Sequence, residues 1–248
     1  MKELFTEVCE DVTKTATKIP QSMYLSNGKT PIFDNETMDL WIERLKNMIY
    51  ILNYKYYHLL SGTTLLTKPL DEFYSFYDNT DLEYFHINRH TFKSIQKRCK
   101  YYYPFIKTKV FRKSKFVKGL SLIFGQIQAI IGINRLRKSP LNPIYNGMEW
   151  FSITDDYCRY ILSKENLIYK TFHHTLAAEE VFVQTLAMHS DEFKNRVYGF
   201  NGKDDHIDAS KTYQFWNSGK STVIKTKEQL EIVQKDKRCF FARKFIDD

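Results

Sequence analysis

The feature that most constrains this fold is an alternation along the chain. Short apolar and aromatic runs that stop at polar or glycine residues take turns with longer segments whose apolar residues recur every three or four positions. KYYHLLSG, LEYFHI at 82–87 and GMEWFSIT are runs of the first kind and predict strands. The spacing of Met38, Leu40, Trp41, Leu45, Met48, Ile49 and Ile51 predicts a helix over 38–53, with Asn35 or Thr37 as its cap. Residues 70–78, DDYCRYILSK and AAEEVFVQTLAMHS predict further helices. Thr154 or an adjacent aspartate suits the N-cap of the second of these. In the third, Glu179 and Glu180 fall in the first turn, facing the positive end of the helix dipole. Strand-like and helical segments interleaved in this way make the chain an α/β protein.

The 248 residues suit a single domain, and no repeat or low-complexity tract breaks them up. Lys and Arg outnumber Asp and Glu 37 to 29, a net charge of +8 that favours an anionic partner: nucleic acid, an anionic membrane face or a nucleotide diphosphate. The four cysteines, Cys9, Cys99, Cys158 and Cys239, form no CxxC pair, which removes the usual zinc and thioredoxin signatures and fits reduced thiols. MKELFTEVCEDVTK has acidic residues where a signal peptide needs an apolar stretch, and no run of 18 apolar residues occurs. The expectation is a cytoplasmic protein.

Residues 107–138 form a basic amphipathic segment. Lys107, Lys109, Arg112, Lys113, Lys115 and Lys118 open it and LRK closes it, with apolar residues between them at spacings of three and four. A helix of this kind can lie in a membrane interface, so the expectation is peripheral contact with the anionic inner face of the membrane, near a lipid-linked acceptor. Nucleic-acid binding is the competing class for a basic, aromatic-rich chain. No RNP, helix-turn-helix or zinc-finger pattern supports it, and no nucleic-acid partner is expected.

Four segments carry a more specific signal: HLLSGTTLLTKPLDEF, GMEWFSITDDYCRYIL, EEVFVQTL and, near the C-terminus, FARKF. Together they resemble the core-2/I-branching enzymes, a family of inverting glycosyltransferases that includes branching N-acetylglucosaminyltransferases and peptide xylosyltransferases. Its pattern runs SGxDxPIK, GSxWxxLT, a DE pair before an aromatic-rich helix, and FARKF. This chain supplies Ser61, Gly62 and Lys68 of the first, Gly147, Trp150 and Thr154 of the second, Glu180 of the third and all of the fourth, over roughly residues 38–246. It departs from the pattern at Thr64, in place of the aspartate, and at Met148, in place of the serine. The family's opening strands, which hold uridine and ribose, are not recognisable in residues 1–37, so the resemblance is to an N-terminally short or divergent member.

The resemblance implies a GT-A-like fold, a mixed sheet flanked by helices, and transfer of a sugar of the N-acetylglucosamine or xylose type from a UDP-sugar to a glycan hydroxyl. It implies no cofactor and no divalent metal, with surface polysaccharide synthesis as the setting. Glu180 matches the general base that such an inverting reaction requires. Lys244 matches the family lysine on the diphosphate, with Lys220 as its partner and Lys225 as competitor for that place; cations there stabilise the leaving group. Glu83 falls where the branching enzymes contact the acceptor, and Trp150 and Trp216 are candidate platforms for the acceptor sugar. The other outcomes compatible with these residues are an inactive, glycan-binding remnant and the basic nucleic-acid-binding protein.

Overall fold

The computed structural model describes residues 35–51, 54–88, 93–104, 106, 114–199, 207–217 and 220–245. The divergent stretch 1–34 and the basic residues 107–113 lie outside the described residues.

Helix α1 (Asn35–Ile51) already contains Asn35 and Thr37, so the helix starts earlier than the periodicity indicates. Its Met38, Trp41, Ile42, Leu45 and Ile49 are buried in the main core, where Trp41 meets Phe151 edge-on at 5.6 Å. Strands β1 (Tyr56–Leu59), β3 (Tyr84–Phe85) and β4 (Phe151–Thr154) form one antiparallel sheet in the order β1-β4-β3. β4 is buried along its whole length, as suits a central strand covered on both faces.

A second sheet is mixed. Its central strand β8 (Phe241–Arg243) pairs antiparallel with β2 (Thr64–Leu66) and parallel with β5 (Thr212–Gln214). A short hairpin, β6 (Trp216–Asn217) and β7 (Lys220–Ser221), follows β5. The protein is thus α/β, with small sheets flanked by helices.

The two sheets share one aromatic cluster. Tyr56 and Tyr84 come from the first, Phe240 and Phe241 from the β8 end of the second, and Phe73 and Tyr77 from α2 (Leu70–Asp78), which bridges them. His58 sits among these rings, 4.6 Å from Tyr77 and 5.7 Å from Phe241, with Nδ1 2.8 Å from Ser152 Oγ. Desolvation pushes it down to about 3, so it stays neutral and packs as one more ring.

Three expected elements come out shorter than the sequence pattern. LEYFHI gives only Tyr84–Phe85, because Glu83 pairs elsewhere: its N–H donates to Arg196 O and its carbonyl accepts from Tyr198 N. GMEWFSIT becomes a loop followed by β4, and α5 (Asp155–Ser163) begins immediately behind it, with Thr154 Oγ1 accepting from Tyr157 N. The run AAEEVFVQTLAMHS does not form one helix. Ala177 takes a left-handed conformation (φ 56°) and Val181 a non-helical one (φ −131°), which isolates Ala178–Glu180 as a single 3-10 turn before α7 (Phe182–Met188), itself between α6 (Glu165–Phe172) and α8 (Asp191–Lys194) in the chain. Glu179 and Glu180 therefore precede the α-helix instead of occupying its first turn.

Cys99, Cys158 and Cys239 are buried free thiols. Among the described residues, no helix is long and apolar enough to cross a membrane.

Candidate active site

Helix α7 is buried over all seven residues, yet it carries Gln184 and Thr185. Buried polar side chains need partners, and these find them in the loop that leads to β4. Gln184 Nε2 donates to Met148 O at 2.9 Å; Thr185 Oγ1 donates to Tyr145 O and accepts from Tyr145 N, both at 3.0 Å. From the 3-10 turn, Glu180 O accepts from Gly147 N at 2.9 Å, and on the other side Asn88 N donates to Asn146 O at 2.7 Å. The loop is clamped so tightly that a Cβ on Gly147 would lie 1.7 Å from His86 O. Here glycine is required by space, not by backbone angle.

This clamping sets Glu149 and Trp150 at the base of β4 beside the end of β8. The Arg243 guanidinium lies over the Trp150 ring, 3.7 Å from its centroid, a close cation–π stack. Burial pushes the Glu149 carboxyl up to about 7, against the opposing pull of Arg243 and with a further upward push from Glu180. Arg243 is itself buried, and desolvation lowers its affinity for the proton, offset by Glu149. The Glu180 carboxylate, about a third exposed, pairs with Arg98 Nη1 at 2.9 Å; Arg98 comes from α3 (Lys93–Lys100).

Two carboxylates and two guanidiniums from four separate elements therefore meet at one loop. Around them, Trp150 Nε1, Gln184 Oε1, Gln214 Oε1 and Arg243 Nε are buried and hydrogen-bond to nothing among the described residues. Native proteins leave few such atoms, and four on adjoining side chains mark a place fitted for a polar ligand.

The other expected site residues are distributed as follows. Lys244, half-buried, follows Arg243 across a cis peptide bond, and its carbonyl accepts from Ile224 N at 2.9 Å. Lys220 opens β7, its backbone paired with Asn217. Trp216 is 46% exposed on the facing strand of the same hairpin. Lys225 is exposed at the start of the turn into α9 (Lys227–Lys235). Lys68 of the first motif binds the carbonyl of Gln234 near the C-terminal end of α9, a favourable place for a cation. Thr64 joins Ser61 through a hydroxyl contact of 2.8 Å that closes the turn into β2.

Glu83 is the clear correction. It is fully buried, with Oε2 accepting from Thr154 N at 2.8 Å, Oε1 accepting from Thr154 Oγ1 at 2.6 Å and Arg196 Nη2 3.3 Å away. It ties β3 to β4 and α5, and no acceptor can reach it. Trp150 is also placed differently from expectation, in the loop before β4 with one ring face under Arg243.

Glu149, Arg98 and Arg243 were not singled out by sequence reasoning. Glu149 and Arg243 lie inside motifs already recognised, and their neighbours Trp150 and Lys244 drew the assignment. Arg98 carries no local signal, since only the fold brings α3 to the 3-10 turn. No protein-family model matches the chain, and no curated protein matches it in sequence.

Proposed function

We propose that the chain is a metal-independent inverting glycosyltransferase of GT-A-like, core-2/I-branching type, which moves a sugar from a UDP-sugar to a carbohydrate hydroxyl. The observation that carries the reading is the convergence of the four motif segments. β2 pairs with β8, so SGTTLLTK and FARKF share a sheet, and Phe245 N extends the ladder to Thr63 O. Glu180 O holds Gly147, and Arg243 covers Trp150, which joins the second segment to the third and fourth. Segments separated by up to 180 residues meet where Arg98 pairs with Glu180 and Arg243 acts on Glu149.

In this reading Glu180 accepts the acceptor proton, with Arg98 fixing its orientation. The cations at the end of β8, Lys244 foremost, and Lys220 on the adjoining hairpin stabilise the charge that develops on the departing diphosphate. Trp216, exposed on that hairpin, offers a ring face to an acceptor sugar. Glu149 is the second carboxyl available for proton transfer, and its burial-raised affinity for the proton suits it to hold a proton near neutrality.

The test is calorimetry with UDP in the presence of EDTA. Wild type should bind, and Lys244→Ala should bind about tenfold more weakly or worse, the usual loss for a charged hydrogen bond. With a UDP-sugar and acceptor, Glu180→Gln should retain UDP binding and lower turnover by roughly 10²-fold to 10⁴-fold. Absence of UDP binding by the folded wild type would sink the reading.

A further inference from the structure

Helix α4 (Lys115–Ile130) is built inside out. The residues it turns toward the body are Ser121, Gly125 and Gln128, small or polar, while Phe116, Leu120, Ile123, Ile127, Ile130 and the following Ile131 face solvent. Phe116 is 77% exposed and Ile130 83%. At 100° per residue these six fall within an arc of roughly 100°, a continuous apolar stripe.

The orientation is fixed by specific contacts. Gln128 makes a two-way clamp on Tyr102, its Oε1 accepting from the N–H and its Nε2 donating to the carbonyl, each at 2.8 Å. The Tyr103 ring lies over Gly125, where a Cβ would sit 3.5 Å from it in ordinary van der Waals contact. Arg135, just beyond the helix, stacks on Tyr102 at 4.6 Å and donates to Tyr101 O. The polar face is the attached one, and rotating the helix to hide the stripe would break all of these contacts.

Charge surrounds the stripe with one sign. Lys115 lies beside its first turn and Arg137 and Lys138 follow its last, all exposed. From Tyr84 to Met148 the sequence holds 14 Lys and Arg and not one Asp or Glu, so the chain's net +8 leaves −6 for all the other residues. A second copy of this chain laid on the stripe would bring like charges together. An interface of acyl chains under anionic headgroups satisfies both the apolar arc and its basic flanks.

We propose that α4 and the turn after it are the docking surface by which the protein lies on an anionic phospholipid bilayer. Phe116, Leu120, Ile123, Ile127 and Ile130 enter the acyl boundary while Lys115, Arg137 and Lys138 pair with headgroup phosphates and carboxylates. The helix lies in the plane of the interface and does not cross it. The argument is independent of the catalytic reading, since it uses no residue of the candidate active site.

The experiment is co-sedimentation of the full chain with vesicles of phosphatidylcholine alone and of phosphatidylcholine mixed with phosphatidylserine. Wild type should bind the mixed vesicles and bind phosphatidylcholine far more weakly. Ile123→Gln/Ile127→Gln, on an exposed face where folding is indifferent to polarity, should lose about tenfold or more in affinity. Lys115→Gln/Lys138→Gln should lose roughly 25-fold, about fivefold per charge near an anionic leaflet. Four results would overturn the proposal: no binding to the mixed vesicles, binding indifferent to the isoleucine changes, binding matched by an RNA oligonucleotide, or a dimer in sedimentation velocity that the isoleucine changes dissolve.

Discussion

Glu83 and Glu149 show how differently two buried carboxyls can be employed. Both are pushed up to about 7, chiefly by desolvation. Around Glu83, hydrogen bonds from Thr154 and the charge of Arg196 oppose that push without cancelling it, whereas Glu149 has the charge of Arg243 against it and that of Glu180 with it. A carboxyl raised above its ordinary value of 4.5 contributes its full stability below that value, where folded and unfolded states are both protonated. As pH rises toward 7 the unfolded chain ionises more readily than the folded one, so stability falls and then levels off above about 7. Urea unfolding should therefore show stability declining between about pH 5 and pH 7.5, with the share of one such group reaching as much as about 3 kcal/mol. Glu83→Gln should remove its share of the slope while leaving Thr154 N an acceptor. An unchanged slope in that variant would mean that Arg196 holds Glu83 ionised.

At the scale of elements, part of the helical structure was legible from spacing: 70–78 and the helix behind Thr154 fall where periodicity and capping put them, while 93–100, 165–172 and 227–235 gave no signal that was read. What could not be read were the places where a polar residue on a buried helix dictates the path of a distant loop. Gln184 and Thr185 look like ordinary polar positions in AAEEVFVQTLAMHS, yet they fix the Tyr145–Met148 loop and thereby keep GMEW out of the strand that follows it. The inverted polarity of α4 was hidden for the same kind of reason. Its apolar periodicity identifies a helix, but which face meets the body depends on Gln128 finding the Tyr102 backbone. The clamped loop gives a sharp expectation. Gly147→Ala puts a methyl group on the carbonyl of His86, where backbone meets backbone and neither can give way cheaply. The variant should lose about 3 kcal/mol or more in denaturant unfolding, and should lose UDP binding with it, because the loop carries Trp150, on which Arg243 beside Lys244 is stacked. A stable Gly147→Ala protein would mean that the loop relaxes away from the 3-10 turn.

On the scale of the whole molecule, the question is whether two small sheets of three strands each behave as one folding unit. Sheets this small are weakly stable alone, and each packs on its own cluster: Tyr57, Phe85, Phe151 and Ile153 of the first in the main core with α1, and Leu65, Tyr213 and Ala242 of the second against Leu230 and Val233 of α9. The aromatic cluster joins them: Phe73 of α2 touches His58 of β1 at 5.2 Å and Phe241 of β8 at 5.7 Å, so one side chain packs on both sheets at once. Arg243 on Trp150 repeats the connection at the candidate site. If that shared packing makes the molecule cooperative, amides of β4 and β8 should exchange with solvent hydrogen through the same global opening. Phe73→Ala, which removes a buried ring at a typical loss of about 3–5 kcal/mol, should then lower the opening free energy of both strands equally. A drop confined to β8 would instead make the second sheet a separately opening unit hinged on the first. The cations of FARKF would then be positioned against Glu180 only while that unit is closed, and UDP binding should fall in Phe73→Ala in proportion to the open fraction.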